Sequence, residues 1–354
     1  MPTEYDPFAR GPFPVGVSTF EALDTVRARL FPCEVWYPAS AQHKVEDRVS
    51  ATQDSFSITA NVSRRQMAVR DASPEPGNYP LIVYSHGGGR WHRRAATFLC
   101  THLSSHGYVV AALDHSEVVA KELAPQANES DEQKAARVEA CMASRVPDVQ
   151  FLLDHLLGGT GALPEGIQLD PAEIGIVGHS FGGWTALAAA ETDKRIRAIV
   201  AHAPGGSSQP KPGILPAKLS FAWGRDVPTL YLAAENDCMT PLPGMYELFE
   251  RTRATKRMII LRRADHLHFL DNVEEEHELT RTMTWTGKLS WIPDEMLSIA
   301  QLCSGEEANS FVKALTLCHM DAVLKQRAQA INFLNGDVQS ELTKRGFATI
   351  VHNQ

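Results

Sequence analysis

The chain has 354 residues, 44% of them hydrophobic and 21% charged, and a formal net charge of −8. This is a globular composition with enough apolar residues for a sizeable core, and it holds no long basic run of the kind that binds nucleic acid. The start, Met1–Pro14, is polar and lacks an apolar segment of signal-peptide length, and no run of 18 apolar residues occurs anywhere. A cytoplasmic protein without a transmembrane segment is therefore expected. The six cysteines, at 33, 100, 141, 238, 303 and 318, form no C-x-x-C pair, which argues for reduced, mostly buried thiols and against a zinc or redox site.

In chain order, residues 30–37 read as an early strand, and Pro38–Arg70 as a polar, irregular stretch with a hairpin and a loop. The prolines, Gly and Asn between Asp71 and Tyr79 mark a turn-rich connection. Pro80–Ser85 is a short apolar strand ending in the loop His86-Gly87-Gly88-Gly89-Arg90. The basic cluster that follows, Arg90–Arg94 around Trp91, reads as a pocket rim or a helix start. A helix over 95–105 stops at Gly107, and Tyr108–Leu113 is the next strand, closing on Asp114-His115. Residues 117–145 look helical and polar, with a break at Pro125–Asp131, and Val146–Leu157 forms a separate amphipathic helix. Ile174–Val177, Ile196–Ala201, Thr229–Ala234 and Arg257–Leu261 are four further strands. Helices are expected at about 307–325 and 328–333. Short apolar strands alternating with helices predict a single α/β domain over 1–354, built on a mostly parallel central sheet with helices on both faces. In such sheets the working residues stand in loops at the carboxyl ends of strands.

One such loop is Gly178-His179-Ser180-Phe181-Gly182-Gly183, between the strand at 174–177 and an Ala-rich helix. G-x-S-x-G at a strand-to-helix turn is a nucleophile elbow, in which the Ser hydroxyl stands exposed at a helix N-terminus. A serine is a weak nucleophile unless a His takes its proton and a carboxylate orients that His. In this architecture the order is Ser, acid, His. Asp237, after the strand at 229–234, is the candidate acid, with Glu235 as its rival. His266, after the strand at 257–261, is the candidate base, with His268 as its rival. The His-x-His spacing alone is weak evidence for a metal, and no cofactor is expected. The oxyanion would be held by the N–H of Phe181 and by one from the glycine loop, assigned to Gly88. Trp91, His202 and His268 are candidate substrate-binding residues. Asp114-His115 is expected to fix a loop by hydrogen bonds, and His179 to pack beneath the site.

These residues resemble the serine α/β-hydrolases, and more narrowly the bacterial group related to platelet-activating factor acetylhydrolase and dienelactone hydrolase. The likeness rests on Gly11–Val17 with Glu34–Pro38, on Tyr84–Gly89 through Ser105–Ala111, and on the elbow. It implies the α/β-hydrolase fold and acyl chemistry. Two departures limit it. Acetylhydrolases of this group carry their acid after the strand following the elbow helix, where this chain has Ala201-His202-Ala203-Pro204-Gly205-Gly206 and no carboxylate. Dienelactone hydrolases use Cys where this chain has Ser180. Residues 271–306, between the His loop and the helical C-terminus, read as a helical insertion: a lid whose Trp285 and Trp291 would favour apolar acyl or aromatic groups, or an extra packing layer. The expected activity is hydrolysis of a small carboxylic ester through an acyl-enzyme, on short-chain or aromatic esters. The alternatives are amide, thioester or acyl-transfer chemistry on the same triad, or a non-catalytic binding protein.

Overall fold

The computed structural model describes residues 5–59, 62–126, 129–207 and 219–353. The first four residues of the polar start, and 127–128 within the expected break, lie outside that set. Backbone contacts divide the chain into two units, residues 11–172 and residues 173–354 with the N-terminal ten.

In the first unit β1 (Val15–Asp24) and β2 (Arg29–Pro38) form a ten-residue antiparallel hairpin. A second hairpin joins β3 (Ser55–Thr59) to β4 (Val62–Arg65). Next come β5 (Val69–Arg70), β6 (Gly77–Ser85), α1 (Thr97–Ser105), β7 (Val109–Leu113), α2 (Ser116–Val119) and α3 (Asp131–Leu157). The strand order is β5-β1-β2-β7-β6, with β6 and β7 parallel. β1 carries no run of apolar residues to announce it, because half of its positions face water; it is fixed by pairing with β2. The expected separate helices around 145 are one 27-residue helix that passes through Pro147. Proline removes one backbone hydrogen bond, but the turn around it is tied down by the buried side chains of Arg145 and Asp148. The expected break lies just ahead of the helix, where Ser130 and Gln133 form a reciprocal capping box.

β8 (Ile167–His179) carries the chain into the second unit. There follow α4 (Phe181–Thr192), β9 (Ile196–His202), β10 (Thr229–Ala234), α5 (Leu242–Arg251) and β11 (Lys256–Leu261). The strand order is β8-β9-β10-β11-β12, parallel throughout except that β12 (Thr349–Asn353) closes antiparallel on β11. The inner strands β9 and β10 are buried along almost their whole length, which is why they read as continuous apolar runs. Between β11 and β12 lie α6 (Val273–Thr282), α7 (Ile292–Glu295), α8 (Gly305–Val323), α9 (Ala328–Asn335) and α10 (Val338–Lys344). Neither α10 nor β12 is evident in the sequence pattern. Among the described residues no helix is long and apolar enough to cross a membrane.

Candidate active site

β8 ends at His179 and α4 starts at Phe181, so Ser180 alone makes the turn. Its backbone sits at φ 57°, ψ −115°, a conformation an L-residue adopts only at a cost of roughly 1–3 kcal/mol. The surroundings hold it there: Ser180 N–H donates to His202 O at 2.9 Å, and Ser180 O accepts from Trp184 and Gly205 N–H, each at 3.0 Å. Two glycines make the approach possible. A Cβ on Gly178 would lie 2.0 Å from Gly182 O, and one on Gly183 would lie 2.9 Å from Pro204 Cβ. The Ser180 hydroxyl makes no capping bond to α4.

The loops after β10 and β11 bring Asp237 and His266 together. His266 Nδ1 lies 2.7 Å from Asp237 Oδ2, and both side chains are buried. The carboxylate is fixed by its own loop: Oδ1 accepts from the N–H groups of Met239 and Thr240, each at 2.8 Å, and Oδ2 accepts from Thr240 Oγ1 at 2.7 Å. With Asp237 as acceptor, Nδ1 carries the proton and Nε2 is left with its lone pair, the tautomer a general base needs. The rival acid faces elsewhere, since Glu235 bonds Arg262 Nε at 2.9 Å and Arg263 N–H at 3.1 Å. His179 lies beneath the site. Its Nε2 lies 2.9 Å from His266 O, and its ring packs on those of His266 and Phe269. Burial, then the neighbouring His266 and His202, pushes its pKa well down, so it is a neutral donor that braces the His266 main chain.

Two histidines singled out for substrate contact stand elsewhere. His202 has no exposed surface; its Nε2 lies 3.1 Å from Thr316 Oγ1, its ring stacks on Phe269, and burial lowers its pKa to about 3. His268 is equally enclosed, with Nδ1 2.7 Å from Asp265 Oδ1 and Nε2 3.1 Å from Cys303 O. Neither presents a surface that a substrate would touch. His202 ends β9 and His268 lies in the turn that begins at His266; burial encloses both.

The His268–Asp265 pair fastens the segment after the His loop. Asp265 also lies 3.1 Å from His277 Nε2 on α6 and caps the turn that begins at His266 by accepting from Leu267 N–H at 2.9 Å. Cys303 N–H donates to Arg263 O at 2.6 Å. Both ends of 271–306 are thus held by polar contacts to the loop carrying His266. Burial alone would lower the His268 pKa, but the Asp265 and Cys303 side chains outweigh it and raise it to about 10 from 6.5. A raised folded-state value contributes stability that is complete below about pH 6.5 and is lost as pH climbs through 10. The unfolding free energy is expected to fall between pH 7 and 10 by on the order of a few kcal/mol, and the thermal midpoint with it. His268→Gln should lower the midpoint at pH 6 and flatten that slope; a wild-type slope in the variant would rule out His268 as its source.

In the first unit the glycine loop follows β6. Gly88 is half-buried, and Trp91 is half-exposed with the Arg90 guanidinium 4.2 Å over its ring. Below the loop lies a set of residues that sequence reasoning missed. Ser85 Oγ is 2.8 Å from His115 Nε2, and His115 Nδ1 is 3.1 Å from Asp148 Oδ2. These are the residue types of a triad, but Ser85, His115 and Asp148 are at most 1% exposed, so they serve structure. The buried Arg145 joins them from α3. Only His115 was marked beforehand, as a loop-fixing residue. Arg145 ends the stretch whose sequence reads as polar, and Asp148 lies in the amphipathic stretch after it.

The paired Asp237 and His266, the strained Ser180 and the parallel strands belong to the α/β-hydrolase fold. The same fold is found in a ferulic acid esterase from Streptomyces cinnamoneus, which aligns over 98% of both chains with a TM-score of 0.62 at 22% identity. A family model described as Chlorophyllase matches residues 43–221, just over half of the chain, and the protein belongs to that family. The expected likeness to the platelet-activating factor acetylhydrolases holds as well. The guinea pig (Cavia porcellus) protein is 26% identical over 234 residues, 54% of this chain and 48% of that one. The dog (Canis lupus familiaris) protein is 31% identical over 162 residues, 35% of this chain and 34% of that one. The matches span half or less of the length of these curated relatives. The family model thus shows the family, and the solved structure the fold.

Proposed function

We propose that the protein hydrolyses carboxylic esters through an acyl-enzyme on Ser180. The observation that carries this reading is the buried 2.7 Å pair of His266 and Asp237, in the same unit as a serine held at positive φ on a strand-to-helix turn. Ser180 Oγ attacks the ester carbonyl and His266 Nε2 takes its proton. The Phe181 N–H, first in the helix after the serine, holds the oxyanion. His266 then protonates the leaving alcohol, and in the second half-reaction activates the water that releases the acid. Asp237 stabilises the imidazolium in both halves. Short-chain or aromatic esters are the proposed substrate class. The names of the similar proteins, an esterase and acetylhydrolases, support ester cleavage over amide or thioester cleavage.

A fluorophosphonate probe tests the reading without assuming a substrate. Stoichiometric labelling at Ser180, absent in Ser180→Ala, is expected. Intact folded protein that takes no label would favour a binding protein on a hydrolase fold.

A further inference from the structure

Thr240 stands at the third corner of a triangle with Asp237 and His266, all three in the second unit. Its Oγ1 lies 2.7 Å from Asp237 Oδ2 and 3.3 Å from His266 Nδ1, and the carboxylate and imidazole lie 2.7 Å apart. The local sequence holds the hydroxyl still. Thr240 is buried and β-branched, which stiffens χ1, and it precedes Pro241, which confines its backbone to the extended region. Its N–H donates to Asp237 Oδ1 at 2.8 Å, so its main chain and side chain grip the two oxygens of one carboxylate.

The hydroxyl has one proton and two acceptors within reach. Asp237 Oδ2 is charged and 2.7 Å away, whereas Ala203 O is neutral and 3.3 Å away, so the proton goes to the carboxylate. The Thr240 oxygen then turns a lone pair to the His266 Nδ1–H, which donates chiefly to Asp237 and over a longer distance to Thr240. Both contacts favour the charged ring. The first fixes Oδ2 in line with Nδ1. The second sets a dipole against an N–H that grows more positive as Nε2 takes the serine proton. The hydroxyl also draws some charge from Oδ2. That carboxylate already accepts from the Met239 and Thr240 N–H groups, so the increment is small beside the 2.7 Å pair that the hydroxyl aligns.

We propose that Thr240 is a positioning residue for acyl transfer: its hydroxyl holds Asp237 Oδ2 on the His266 Nδ1–H and steadies the imidazolium formed in the reaction. The inference rests on the proposed esterase reading. Its signature is a fall in kcat joined to a change in the pH at which the free enzyme loses its base. The other titratable groups around His266 are His179 on β8 and His202 on β9, both pushed down by burial, and Asp265 and His268 in its own turn. Beyond them are Cys238, pushed up to about 12 by burial, Glu295 on α7 and His277 on α6. α8, which also packs on that turn, meets His202 through the uncharged Thr316. All of these are unchanged when one oxygen is removed at position 240, so a shift that follows the oxygen belongs to it.

Thr240→Ser keeps the hydroxyl and Thr240→Ala removes it, so the two variants differ by one oxygen. Thr240→Ala is expected to lower kcat for p-nitrophenyl butyrate by about tenfold, with KM within about threefold. The acid limb of its kcat/KM profile should move down by about half to one pH unit. Thr240→Ser should restore most of kcat and return the limb to its wild-type position. A hydroxyl that only braced the loop would leave the limb of the folded variant where it was. Folded Thr240→Ala with wild-type kcat, with its loss carried by KM, or with an unmoved or raised limb overturns the proposal. Should Thr240→Ala not fold, Thr240→Val, which keeps the branched shape without the oxygen, is read by the same outcomes. A wild-type protein that takes no fluorophosphonate label and turns over no ester would remove the esterase reading itself, whereas active wild type beside fully active Thr240→Ala removes this inference alone.

Discussion

Ser180→Ala is expected to lower kcat for p-nitrophenyl acetate and butyrate by about 10⁴- to 10⁶-fold, leaving the folded state intact. Alanine has no oxygen to attack with, while the backbone contacts that hold position 180 come from main-chain groups of His202, Trp184 and Gly205. Alanine is as strained as serine at φ 57°, so the thermal midpoint should barely move. Ser180→Gly makes the sharper comparison. Glycine adopts positive φ freely, so this variant should be equally inactive yet more stable by roughly 1 kcal/mol. A serine kept where glycine would be more comfortable is strain retained at the proposed nucleophile. Retained turnover in pure Ser180→Ala would take Ser180 out of the mechanism, and the His266–Asp237 pair would need another nucleophile.

Gly178→Ala is expected to be the most damaging single methyl group in the elbow. The added Cβ would lie 2.0 Å from Gly182 O and 2.2 Å from Gly182 C. Both are backbone atoms, so no rotamer change relieves the clash; β8 and the first turn of α4 must separate. Destabilisation of more than about 3 kcal/mol follows, a fall in the thermal midpoint of roughly 10 °C. Gly183→Ala meets the Pro204 side chain at 2.9 Å and should cost less, because that ring has some freedom to shift. Melting curves read both. A Gly178→Ala protein melting with wild type would mean that the strand and helix approach less closely than these distances.

Much of this architecture is written locally. The strand at 229–234 matches its predicted limits, and those at 196 and 257 match within a residue, because a strand enclosed on both sides needs an unbroken apolar run. β1, β12 and the continuity of α3 through Pro147 are not legible that way. β1 is half exposed, β12 is a short edge strand, and α3 survives its proline through buried side-chain contacts that periodicity does not record.

The site divides along the same line. Sequence alone determined the elbow, because the glycines that allow the turn and the strand and helix that create it are neighbours in the chain. It also determined the order of Ser180, the acid loop and the His loop, because strand ends follow one another in a parallel sheet. Tertiary structure decided which member of each close pair does what. Asp237 rather than Glu235 meets His266, and His268 turns into a buried ion pair with Asp265. Residues two apart are nearly equivalent to any pattern, whereas hydrogen bonding depends on direction and burial. The same reason hid Arg145: a guanidinium in a polar-looking helix reads as solvated until the fold encloses it against two carbonyls of the glycine loop.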